Sequence, residues 1–176
     1  MLSLTLRFWR SSAGVTAIEF AILAPVLFYF VFAAFEVGMI YTQRELLDRA
    51  VTNATKQIYI GAASSGQVTK SDLEKAICDD LIFAGAECRK NLTLRVTPIT
   101  SLRSDPQTDI ICRDSGTTPD PAIGYNPGVR DQFMFMRVCF MKKLLLPGIG
   151  FALSLPSASN GRIALVSSSA FVNEPF

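Results

Sequence analysis

The chain has no histidine in its 176 residues, which removes the commonest general base and the commonest metal ligand together. It has one tryptophan, and it contains no C-x-x-C, no G-x-S-x-G and no phosphate-binding glycine loop. A catalytic site would have to be built from Ser, Asp, Glu and Arg, and no constellation of these points to one. We therefore expect no enzyme activity, no metal and no cofactor. Charge is sparse as well: 17 Lys and Arg against 15 Asp and Glu give a net charge of +2. With no basic stripe and no interleaving of aromatic and basic residues, nucleic acid is not an expected partner.

What the chain does have is a long apolar run near its start. "GVTAIEFAILAPVLFYFVFAAFEVGMI", Gly14 to Ile40, carries much of the 49% hydrophobic content. A helix rises about 31 Å from Val15 to Glu36, which matches the roughly 30 Å hydrocarbon layer of a bilayer. We expect a transmembrane helix over 15–41, with membrane lipid as its surroundings and Glu36 at the far headgroups. Pro25 lacks the N–H that would bond to the Ala21 carbonyl, so a kink or unwound turn is expected there. "YTQRELLDRAVTNATKQIYI" then continues as an amphipathic extension over 42–62. It places Leu47, Ala50, Val51, Ala54 and Ile58 on one face, with Arg44/Asp48 and Glu45/Arg49 as i,i+4 pairs.

The four cysteines, Cys78, Cys88, Cys112 and Cys139, all follow the apolar run. Their gaps are too long for the close pairs of a zinc site, and an even count behind a membrane segment suggests two disulfides in an oxidising compartment. Three pairings are possible; we favour Cys78 with Cys88 and Cys112 with Cys139. The cysteines, with Arg7 and Arg10 before the span, orient the chain: N-terminus in the cytoplasm, residues 63–176 outside it as a periplasmic domain.

That external part reads as α+β. Ser71 with Glu74 suggests a capping box for a short helix to about Ala84. "NLTLRVTPI" alternates Leu92, Leu94 and Val96 against polar residues, as a half-buried strand does. "DQFMFMRVCFM" is apolar on both faces, as a central strand is. Asn160-Gly161 signals a turn before a last strand, Arg162 to Val172. Helix or strand stays open for 144–156. Asp105, Asp109, Asp114 and Asp120 in the polar stretch 100–131 match no calcium loop. The expected architecture is a long transmembrane and stalk helix carrying a small disulfide-bonded domain with an antiparallel sheet of about three strands and a short helix.

Glu19 is the residue that a plain anchor does not explain, because an ionised carboxylate inside hydrocarbon costs roughly a few kcal/mol. A secretory signal cut near "VFA", Val31 to Ala33, would make Glu19 incidental, but an acid and a proline suit such a signal poorly. Cleavage after Gly14 accounts for it. The new amino group of Val15 and the carboxylate of Glu19, now fifth in the chain, can pair between neighbouring helices and set their register. This is the logic of type IV pilins and pseudopilins.

Gly14, Ala17, Glu19, Phe20, Ala21, Pro25, Glu36 and Gly38 resemble the N-terminal signature of TadE-like proteins, minor pseudopilins of the Tad (Flp) pilus assembly system. The ending "SSAFVNEPF", Ser168 to Phe176, resembles the close of proteobacterial members. The resemblance implies a leader, 1–14, removed by a prepilin peptidase at the bacterial inner membrane, with Gly14 before the cut, Val15 after it, and Glu19 and Phe20 in assembly. Implied partners are the other Tad pseudopilins, the major pilin and the inner-membrane assembly platform. A membrane-tethered periplasmic binding or adhesion domain without a polymer role is the alternative.

Overall fold

The apolar run and the amphipathic segment after it form one helix, α1 (Val15–Tyr59), in the computed structural model, which describes residues 14–59, 68–85, 88–99, 112, 124–145 and 161–173. The helix runs through Pro25 without an unwound turn. Proline removes one backbone bond, and the bonds on either side suffice to carry the helix past it. Residues 1–13 of the leader, the stretch 60–67, the four aspartates at 105–120 and most of 144–156 lie outside the described residues.

Two further helices and three strands follow. α2 (Lys70–Asp80) is capped by Thr69, not Ser71. The Thr69 hydroxyl accepts from the Asp72 N–H at 3.3 Å, and the Asp72 carboxylate accepts from the Thr69 N–H at 2.9 Å and from its hydroxyl at 2.7 Å. This reciprocal pair forms two residues before the expected box, and Glu74 instead faces Lys70 at 3.9 Å. The helix also stops earlier than Ala84: Leu81 leaves it while its N–H still bonds to the Ile77 carbonyl at 3.1 Å. A single turn, α3 (Cys88–Asn91), leads into the first strand.

β1 (Leu92–Pro98), β2 (Phe133–Lys143) and β3 (Arg162–Val172) make an antiparallel sheet in the order β1-β2-β3. The central position of β2 accounts for its apolar residues on both faces. Leu94 stands opposite Val138, which stands opposite Ser167. The free edge of β1 is partly occupied by Tyr125, which bridges Val96 and whose hydroxyl donates to the Val68 carbonyl at 3.0 Å. Such cover limits unwanted pairing at a sheet edge.

One sheet face packs on α1 and α2. Leu47, Ala50, Val51, Ala54 and Ile58 of α1 meet Leu73, Ile77 and Leu81, and both sets meet Leu92, Leu94, Val96, Met134, Met136, Val138, Phe140 and Leu165. The C-terminal half of α1 is therefore one wall of the core. The expected pairs Arg44/Asp48 and Glu45/Arg49 do not form; at the described residues, ion pairs are seen at Lys70–Glu74 and Arg130–Asp131.

The opposite sheet face carries a cross-link. Cys112 is bonded to Cys139, with Cα atoms 5.5 Å apart, and Cys78 to Cys88, with Cα atoms 5.7 Å apart. Both separations suit a disulfide. Thr93, directly opposite Cys139, is only 3% exposed, so β1 is buried on its polar face as well at this point.

The far end of the sheet is closed by Asn173. Its Nδ2 donates to the carbonyls of Pro127 at 2.8 Å and Val129 at 3.2 Å, while its backbone pairs with Asp131 and Gln132. Gly128 in the same turn has φ +74, and a Cβ there would run into Met134 Sδ. A side chain would be excluded by strain and by space.

Candidate assembly interface on the N-terminal helix

α1 divides by exposure. From Val15 to Phe35 its large apolar side chains stand outward: Ile18, Phe20, Leu23, Leu27, Phe30 and Phe35 are all more than half exposed. This stretch makes α1 long and apolar enough to cross a membrane. Gly14 and Val15 lie at its exposed start. Glu19 and Phe20 point out of the same stretch, and Glu19 has no hydrogen-bond or ion-pair partner among the described residues. Inside a bilayer an ionised carboxylate is costly, and such residues are usually found paired.

Glu36 corrects the sequence expectation. It is 5% exposed, and one carboxylate oxygen accepts the Leu145 N–H at 2.8 Å. It is thus a docking contact between α1 and the end of β2, and not a carboxylate held only among headgroups. The reason is angular. Glu36, Ile40, Gln43, Leu47, Ala50, Ala54 and Ile58 recur at three- and four-residue steps, and the stripe they form faces the globular part. Extending the apolar face about three turns from Leu47 towards the N-terminus reveals it.

Beside that stripe runs an open apolar trough lined by Ala34, Phe35, Gly38, Met39, Leu46 and Phe83. Gly38 has nothing near the position of a Cβ, so the helix surface is flat there and admits close approach. Small residues on a membrane helix permit such packing. The structure brings the cysteines together in two pairs but leaves Glu19 and Glu36 about 25 Å apart along the helix.

A family model described as TadE-like protein matches residues 14–55. This segment is TadE-like. It covers all of the outward half of α1 and most of the half that forms the core wall. The TadE-like segment connects the chain with the Tad pilus system and its components in general. The sheet and both disulfides lie beyond the match. No curated protein and no solved structure matches the chain.

Proposed function

We propose that the chain is a minor pseudopilin that takes part in assembling a Tad pilus at the bacterial inner membrane, and that its role is structural rather than enzymatic. The observation that carries this reading is Glu19: an outward carboxylate, without a partner among the described residues, inside the membrane-length half of a TadE-like helix. A prepilin peptidase cuts after Gly14, and the amino group of Val15 on one helix meets Glu19 on the next. Phe20 and its outward neighbours pack against other pseudopilins, the major pilin and the assembly platform. The N-terminus is cytoplasmic, and the disulfide-bonded part is periplasmic, where thiols oxidise.

Two measurements test it. N-terminal sequencing of protein from a host with an intact prepilin peptidase is expected to start at Val15; a start at Met1 removes the cleavage step. Glu19→Gln is expected to leave membrane level, cleavage and disulfides intact and to abolish piliation. Breaking one side of a buried ion pair costs roughly 3–5 kcal/mol. Glu36→Gln keeps an acceptor for the Leu145 N–H and is expected to do much less. Normal piliation in the Glu19→Gln strain would end the assembly role of this carboxylate.

A further inference from the structure

The end of β2 brings a basic edge to the height at which the membrane-length half of α1 stops. β2 runs antiparallel to α1: Thr55 Oγ1 donates to Met136 Sδ at 3.4 Å, and Glu36 accepts from Leu145 N at 2.8 Å. The rise along the helix between these contacts is about 28 Å, and that along the strand about 30 Å, so the two elements stay side by side. Lys142, Lys143 and Leu145 therefore lie level with Glu36, which is about 31 Å along the helix from Val15.

The chemistry of this edge is unusual for a surface facing only water. Lys143 stands directly opposite Arg162 on the last rung of the sheet, and like charges so placed repel. Arg162 is held by Asn91 Oδ1 at 3.1 Å. Lys142 reaches over the Phe83 ring, 5.6 Å from its centre. Neither lysine forms an ion pair among the described residues. Glu36, the carboxylate lining the same crevice, is engaged by Leu145 N. Leu145 itself is 59% exposed.

We propose that this edge seats on the phosphates of anionic phospholipids in the leaflet that the globular part faces. The inference rests on the reading that α1 spans the bilayer. Lys142 and Lys143 then meet headgroup phosphate, which offsets the like charge that Lys143 faces across the last rung, and Leu145 enters the apolar boundary beneath. Long basic side chains with an adjacent apolar residue suit that layer. Glu36 holds the edge at the correct height, and the lysines select the lipid.

The test uses the full chain in lipid nanodiscs, with Trp9→Phe and Leu145→Trp to make residue 145 the fluorescent reporter. Quenching is compared for phosphatidylglycerol and phosphatidylcholine tracers bearing a nitroxide near the headgroup. The phosphatidylglycerol tracer is expected to quench several-fold more strongly. Lys142→Gln with Lys143→Gln lowers the preference by up to roughly five-fold per lysine at low salt, while Lys142→Arg with Lys143→Arg retains it, both variants keeping their disulfides. Equal quenching by the two tracers, or a preference that the glutamine variant leaves unchanged, would overturn the proposal. A separate reporter, Leu27→Trp, is expected to be quenched by mid-chain nitroxides. Its failure would overturn the spanning reading underneath, and is thereby distinguished from failure of the headgroup contact alone.

Discussion

Leu27 and Leu47 are the same residue on the same helix, yet the first is 60% exposed and the second fully buried. The two halves of α1 solve different problems. In the first half, apolar side chains project on every side, as lipid permits. In the second, only a stripe is apolar, because one side meets the sheet and the other meets water. Helix propensity is similar in both; the partner decides.

The largest expected effect breaks this comparison directly. Leu47→Ala should destabilise the globular part by roughly 2–5 kcal/mol, through lost burial and a residual cavity. Leu27→Ala should leave its unfolding midpoint in detergent unchanged. Chemical denaturation of the two variants side by side checks this, and equal effects would contradict the division. Next, Cys112→Ser with Cys139→Ser should cost roughly 3–4 kcal/mol in the chain-entropy picture, given a sequence separation of 27. It should do so without altering the membrane half, which mass spectrometry and membrane extraction can follow separately.

A smaller effect sharpens the boundary between the halves. Glu36→Ala leaves the part-buried Leu145 N–H without its acceptor and should cost roughly 1 kcal/mol, with faster amide exchange confined to the end of β2. Glu36→Gln should recover most of that protection.

The smallest effect belongs to α2, which packs on the second half of α1. The hydrogen bonds from the Thr69 side chain and then from its backbone hold the Asp72 carboxyl below its ordinary value of 3.8. A carboxylate whose folded value is depressed contributes stability that is fully present above the unfolded value and is lost as pH falls through the folded one. The melting-temperature difference between wild type and Asp72→Asn should therefore persist at neutral pH and close under acid conditions. Asp72 is solvent-exposed, so the difference should be slight at every pH.

Much of this architecture was legible because it rests on periodicity. The stripe Leu47, Ala50, Val51, Ala54 and Ile58, the alternation of β1 and the two apolar faces of β2 each express one regular geometry. The two cysteine pairs, the three-stranded antiparallel sheet and the TadE-like segment also correspond to what the residues suggested. The contact of Glu36 with the end of β2 is not legible in hydropathy, which along a helix measures height and not azimuth; only the angular stripe shows which side it occupies. The helix cap was misplaced because Thr69-x-x-Asp72 and Ser71-x-x-Glu74 overlap, and local pattern does not rank them. Thr93 alternates with apolar residues as a solvent-facing position does, yet it is 3% exposed beside a cysteine 46 positions away in sequence, across the β1–β2 ladder. The close contacts of Asn173 arise similarly from a turn more than 40 residues earlier, for which no local signal exists.

The unbroken course of α1 has a mechanical consequence. A thrust or twist applied to the stretch around Phe20 reaches Leu47 and Ile58 through one continuous ladder of backbone bonds, with no loop between to absorb it. At Glu36 the load divides, part continuing along the helix and part passing through Leu145 into β2. The sheet is braced at both ends of this path, by Glu36 below and by the Thr55–Met136 contact above. The globular part is therefore joined to the outward half of α1 as a lever is to its shaft, with fixed contacts at two heights along one helix.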